Sequence, residues 1–103
     1  MKTRSEPPPP QKPGAFLKAL IRAQTPRITQ GDLADALQVT RLTVNMVLNG
    51  KSAVTTEMAL RLERVLGTSP VMLLGMQIEH DLFNTRRKMA GTLSRIEPLA
   101  RTD

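Results

Sequence analysis

A chain of 103 residues, 40% of them apolar, supports one small domain rather than several. It holds no cysteine, which excludes disulfides and thiolate metal sites, and no run of about 18 apolar residues, which excludes an apolar membrane-spanning helix. A formal net charge of +6 favours a polyanionic partner.

Residues 1–12, MKTRSEPPPPQK, read as a Pro-rich arm, because Pro7 to Pro10 favour polyproline II and cannot join a helix interior. The arm is a docking strip, a minor-groove arm or a disordered tail. Pro13-Gly14 opens a first helix that runs to about Ala23, with Phe16, Leu17, Leu20 and Ile21 at helical spacing. Thr25-Pro26 stops it.

The next stretch, Thr29 to Lys51, predicts a helix, a tight turn and a second helix. Thr29 is an N-cap, and Asp32 suits the positive end of the helix that follows. Leu33, Ala34 and Leu37 form its apolar stripe, and Gln38-Val39 makes the turn. Thr40 caps the second helix, Arg41 to Leu48, whose inner face carries Val44 and Val47. Asn49-Gly50 ends it, with Gly50 at positive φ.

These lengths fit a helix-turn-helix whose second helix enters the major groove of DNA. The outward positions are Arg41, Leu42, Asn45 and Met46, the candidate base-contacting set. Arg can bond guanine and Asn adenine in bidentate fashion, while Leu42 and Met46 can pack on thymine methyls. Gln30, Thr40, Thr43, Asn49 and Lys51 are the candidate phosphate contacts, which position the protein rather than specify sequence.

Thr55 caps a fourth helix, about Thr56 to Leu66, with Ala59, Leu62, Val65 and Leu66 inward and Gly67 as its breaker. Ser69 as N-cap and Pro70 at N1 begin a fifth. Its apolar residues cover more than one face, beyond the single stripe of a surface helix. The excess marks a dimer or partner interface, assigned to Met72, Leu73, Met76, Ile78, Leu82 and Phe83. Gly75, inside this helix, allows close helix packing. After Asn84 the pattern weakens. Arg86 to Ile96 continues partly as helix, limited by Gly91 and Pro98.

Several blocks together resemble the HigA-like antitoxins of the Cro/C1-type (XRE) helix-turn-helix family. They are Pro13-Gly14, LADALQVTRLTVNMVLNGK, Ala59-Leu60-Arg61-Leu62, Leu66-Gly67-Thr68-Ser69-Pro70, and Gln77 with Asp81-Leu82. The resemblance implies an all-α, five-helix, lambda-repressor-like domain with a Pro-rich N-terminal arm and a C-terminal extension. On that basis residues 1–12 are the arm, 13–83 the DNA-binding domain and 84–103 the extension, partly helical or disordered.

It further implies a homodimer on double-stranded DNA carrying a palindromic operator and repression of its own operon. As the antitoxin of a HigBA-type module, the chain would also neutralise a RelE-like, mRNA-cleaving toxin. Family base contacts fall on Arg41, Leu42, Asn45 and Met46. Family phosphate contacts fall on Gln30, Thr40, Asn49 and Lys51.

Other readings stay open. The chain is then a stand-alone regulator of this family, or mainly a protein-interaction module built on the fifth helix. Catalysis is not expected: His80 is the lone histidine, and Glu79 and Asp81, one position to either side, are not expected to face it on a helix. Gly50-Lys51-Ser52 mimics the end of a phosphate-binding loop, but Asn45 stands where that loop needs glycine. No cofactor and no metal are expected. With no apolar signal-peptide core at the N-terminus, a cytoplasmic location is expected.

Overall fold

A computed structural model describes residues 10–100. Much of the predicted arm therefore lies outside the described residues. Six helices follow one another: α1 (Pro13–Arg22), α2 (Gln30–Leu37), α3 (Arg41–Leu48), α4 (Thr56–Leu66), α5 (Pro70–Lys88) and α6 (Ala90–Ser94).

Local chemistry sets most of these bounds. The hydroxyls of Thr29, Thr40, Thr55 and Ser69 each accept a backbone N–H from the first turn they cap. At α2 the capping is reciprocal, because the Asp32 carboxylate accepts the Thr29 amide. Gly67 ends α4 at φ 74° and Gly50 follows α3 at φ 71°, both in the left-handed region that glycine enters without a Cβ penalty.

α3 packs against α1 and α2, α4 against α2 and α5, and α5 also against α1. Leu17, Leu33, Ala34, Leu37, Val44, Val47, Val54, Ala59 and Leu62 meet in one buried core. It is aliphatic, as a chain with only two phenylalanines and no other aromatic requires. Burial of each large aliphatic side chain contributes about 1.5–3 kcal/mol.

Gly14 explains why Pro13-Gly14 opens α1. A methyl at Gly14 would collide with the backbone carbonyls of Val47 and Leu48. α1 therefore seats its first turn directly on the end of α3, and only a residue without a side chain permits it.

The structure departs from expectation in three places. The five expected helices are present and α6 falls in the extension expected to be partly helical, but the fifth does not end at the expected domain boundary. α5 runs through position 83 to Lys88 before a short α6, because Arg86, Arg87 and Lys88 suit the negative end of a helix. Leu73, assigned to the interface, is instead fully buried in the core. Helical periodicity showed that α5 was apolar on more than one side but could not choose which side faced inward. At Gly75 nothing within the chain lies within 4 Å of an added Cβ, so no close helix packing occurs there in the described chain.

Candidate nucleic-acid interface

The turn between α2 and α3 is held by more than its own residues. Gln38 closes α2 with φ 61°, a left-handed conformation that costs a residue bearing a Cβ about 1–2 kcal/mol. Arg61 of α4 offsets that cost. Its Nη1 donates to the carbonyl of Leu37 at 2.6 Å, satisfying an acceptor at the end of α2. α4 thereby fixes the angle at which α3 leaves the turn.

On α3, Arg41, Leu42 and Asn45 are exposed and Met46 is half-buried. Leu42 is 69% exposed, a large apolar side chain with nothing over it. The structure thus brings the four predicted base-contacting residues onto the outer part of one short helix, with Met46 the least accessible. The Arg41 guanidinium lies against Gly31 of α2, where a Cβ would be 2.6 Å from its Nη2. The Asn45 amide nitrogen stands 3.5 Å from the Gln30 side-chain oxygen, which brings α2 to the edge of the same face.

The predicted phosphate contacts surround this row. Thr40 and Thr43 hydroxyls are 2.9 Å apart, and Thr40 also accepts the Thr43 amide at 3.0 Å. Whichever hydroxyl donates to the other, one O–H in the pair stays free for an external acceptor. Asn49 donates one amide hydrogen to the Asn45 carbonyl at 3.0 Å and keeps the other. Lys51 is exposed, and its backbone N–H donates to the Met46 carbonyl at 2.8 Å, which pins the loop to the end of α3.

Gln77 anchors the far side of that loop. Its side-chain oxygen accepts the Val54 amide at 3.0 Å, and its nitrogen donates to Asp81 at 3.0 Å. α5 is therefore wired to the segment that carries Lys51. The sequence marked Gln77 and Arg61 only as members of motif blocks. Their bonds span 23 and 24 positions, so no local pattern could assign their partners. Gly31 carried no signal beyond being a glycine in a helix.

The second predicted surface lies on α5. Met72, Ile78 and Leu82 are exposed, and so is Val71 at 81%, which the interface set omitted. Met76 is half-buried against the core, and Phe83 is half-buried with the Arg87 guanidinium 5.7 Å from its ring centre. No helix of the described residues is long and apolar enough to cross a membrane. No group of three or more His, Asp or Glu side chains among them is placed to hold a metal ion.

The sequence profile of a helix-turn-helix family matches residues 27–73. Among curated relatives, an uncharacterised HTH-type transcriptional regulator of Haemophilus influenzae is 33% identical over 69 residues. The match covers 65% of this chain and 64% of that protein, so the chain spans less than two thirds of that relative. Antitoxin HigA-1 of Vibrio cholerae is 35% identical over 72 residues, which cover 70% of this chain and 68% of the antitoxin. Among solved structures, the Pseudomonas aeruginosa antitoxin HigA with higBA promoter superposes with a TM-score of 0.78 at 29% identity. That match covers 88% of this chain and 99% of the antitoxin.

Proposed function

We propose that this chain, which belongs to the HigA-like group of the Cro/C1-type helix-turn-helix family, is a DNA-binding antitoxin that represses its own operon. The observation that carries the reading is the outer face of α3. It presents Arg41, Leu42 and Asn45 in the open, flanked by Gln30, Thr40, Asn49 and Lys51, with no acidic residue on the helix. The likeness to an antitoxin solved with its promoter supports it.

In this reading Arg41 and Asn45 supply hydrogen-bond readout of base edges, while Leu42 and Met46 meet thymine methyls. Gln30, Thr40, Thr43, Asn49 and Lys51 take phosphates and fix the register of α3 in the groove. A homodimer would place two copies of α3 about 34 Å apart on one face of B-DNA, matching a palindromic operator. The exposed apolar residues of α5, Val71, Ile78 and Leu82, are where that dimer or a protein partner would gain buried area. The protein partner is a RelE-like toxin.

The test has two arms. The purified chain should bind a duplex from its own promoter far more tightly than a scrambled duplex at equal salt. Expressed with the gene beside its own, it should co-purify with a small basic protein whose mRNA cleavage it suppresses. Equal affinity for both duplexes would remove the repressor reading. Promoter binding with no such companion would leave a stand-alone regulator.

A further inference from the structure

A cleft of about 760 Å³ lies beside the exposed face of α3, between the end of α1 and the start of α2, with Leu48 at its base. Three cations line it: Lys18 and Arg22 from α1, and Arg27 from the loop before α2. Lys18 and Arg22 stand four positions apart and so share one side of α1. Arg22 and Arg27 are exposed, and Lys18 is half-buried.

The cleft contains no carboxylate. Among the described residues the close contacts of a basic side chain with a carboxylate are those of Arg61 with Glu57 and His80 with Asp81, so none of the three cations has an acidic partner there. Asp32, the nearest acid along α2, is turned to the Thr29 amide at 3.2 Å and closes the capping box. Like charges gathered without counter-charge repel one another, and a bound anion removes that cost.

Position identifies the anion. Thr29 and Gln30 form one wall of the cleft, and Gln30 also borders the groove-reading face through its approach to Asn45. The cleft is therefore continuous with the surface along which a duplex would run. Cations contributed by a helix and by a separate loop suit a polymer with repeated charges better than one small ion.

We propose that Lys18, Arg22 and Arg27 form a second phosphate-backbone contact, which takes phosphodiester groups of the duplex flanking the segment read by α3. The inference rests on α3 being a DNA-reading helix but uses none of its residues. The three cations lengthen the footprint and raise affinity for any sequence, leaving base preference to α3.

The test compares wild type with the Lys18→Gln, Arg22→Gln, Arg27→Gln triple variant by fluorescence anisotropy across a salt series. The probes are a promoter duplex and a scrambled duplex, each of about 30 base pairs, and each neutralised phosphate contributes about 0.9 to the salt slope. The triple variant should lose about 2–3 from the slope on both probes while keeping the wild-type promoter-to-scrambled ratio. A charge-conserving triple, Lys18→Arg, Arg22→Lys, Arg27→Lys, should keep the full slope, which separates charge from folding. Equal slopes for wild type and the Gln variant overturn the proposal. A wild-type chain without promoter preference would count against the reading of α3, while the slope difference would still decide on the cleft.

Discussion

The Arg61 guanidinium donates to the Leu37 carbonyl across 24 positions of sequence, tying the middle of α4 to the end of α2. The bond supports a turn that Gln38 closes in a left-handed conformation, and that turn sets the direction of α3. Hydrogen bonds to charged donors contribute about 1.5–3 kcal/mol, and Arg61 is partly exposed, so the lower part of that range applies. Arg61→Met keeps the aliphatic stem and removes the donor. Urea denaturation should show it less stable by about 1–2 kcal/mol. An unchanged midpoint would mean that water satisfies Leu37 equally well.

Relief of strain at the same turn should work in the opposite direction. Gln38→Gly removes the Cβ that disfavours φ 61° and leaves the backbone bonds in place. Thermal and chemical denaturation should show a gain of about 1 kcal/mol, reduced by the extra freedom glycine gives the unfolded chain. A loss would show that Gln38 contributes contacts greater than its strain.

Two glycines should respond oppositely to alanine. Gly14→Ala drives a methyl into the Val47 and Leu48 carbonyls, and backbone cannot move aside as a flexible side chain can. It should cost about 1–3 kcal/mol and shift α1 against α3. Gly75→Ala meets open space and should stabilise the dilute chain by up to about 1 kcal/mol through helix propensity. Circular-dichroism melts of both variants check the pair. Equal effects would contradict the packing described for α1.

On α5, burial separates residues that the sequence grouped together. Leu73→Asp places a charge in the core and should abolish cooperative unfolding. Ile78→Asp with Leu82→Asp changes only exposed positions and should leave the fold intact. If this face joins two copies, sedimentation will show the double variant as a monomer with weakened promoter binding. A double variant that remains dimeric would move the dimer contact elsewhere.

Base and phosphate roles separate by salt and sequence. Asn45→Ala should cost about 1–3 kcal/mol on the promoter and relax preference at one base pair. Lys51→Ala should weaken promoter and scrambled duplexes alike and lower the salt slope by about 1. Anisotropy titrations distinguish the two. Wild-type promoter affinity in Asn45→Ala would mean that α3 enters the groove in another orientation.

The sequence by itself determined the helix starts and the helix-turn-helix. Thr29, Thr40, Thr55 and Ser69 announce helices through bonds to amides three residues on, and Gly50 and Gly67 end theirs through their own φ. Such interactions are local, so local pattern suffices to find them. The exposed row Arg41, Leu42 and Asn45 was legible for the same reason, since two buried valines fix the inward side of α3.

Tertiary structure alone decided the rest. It turned Leu73 inward and left Val71 outside, because an α5 apolar on several sides takes its orientation from α1 and α4. It gave Gly14, Arg61 and Gln77 their partners, which lie 23 to 34 positions away. It also gathered Lys18, Arg22 and Arg27 around one cleft, where charges without pattern along the chain become a surface. Close packing and long-range hydrogen bonds depend on how helices meet, and helical periodicity carries no record of that meeting.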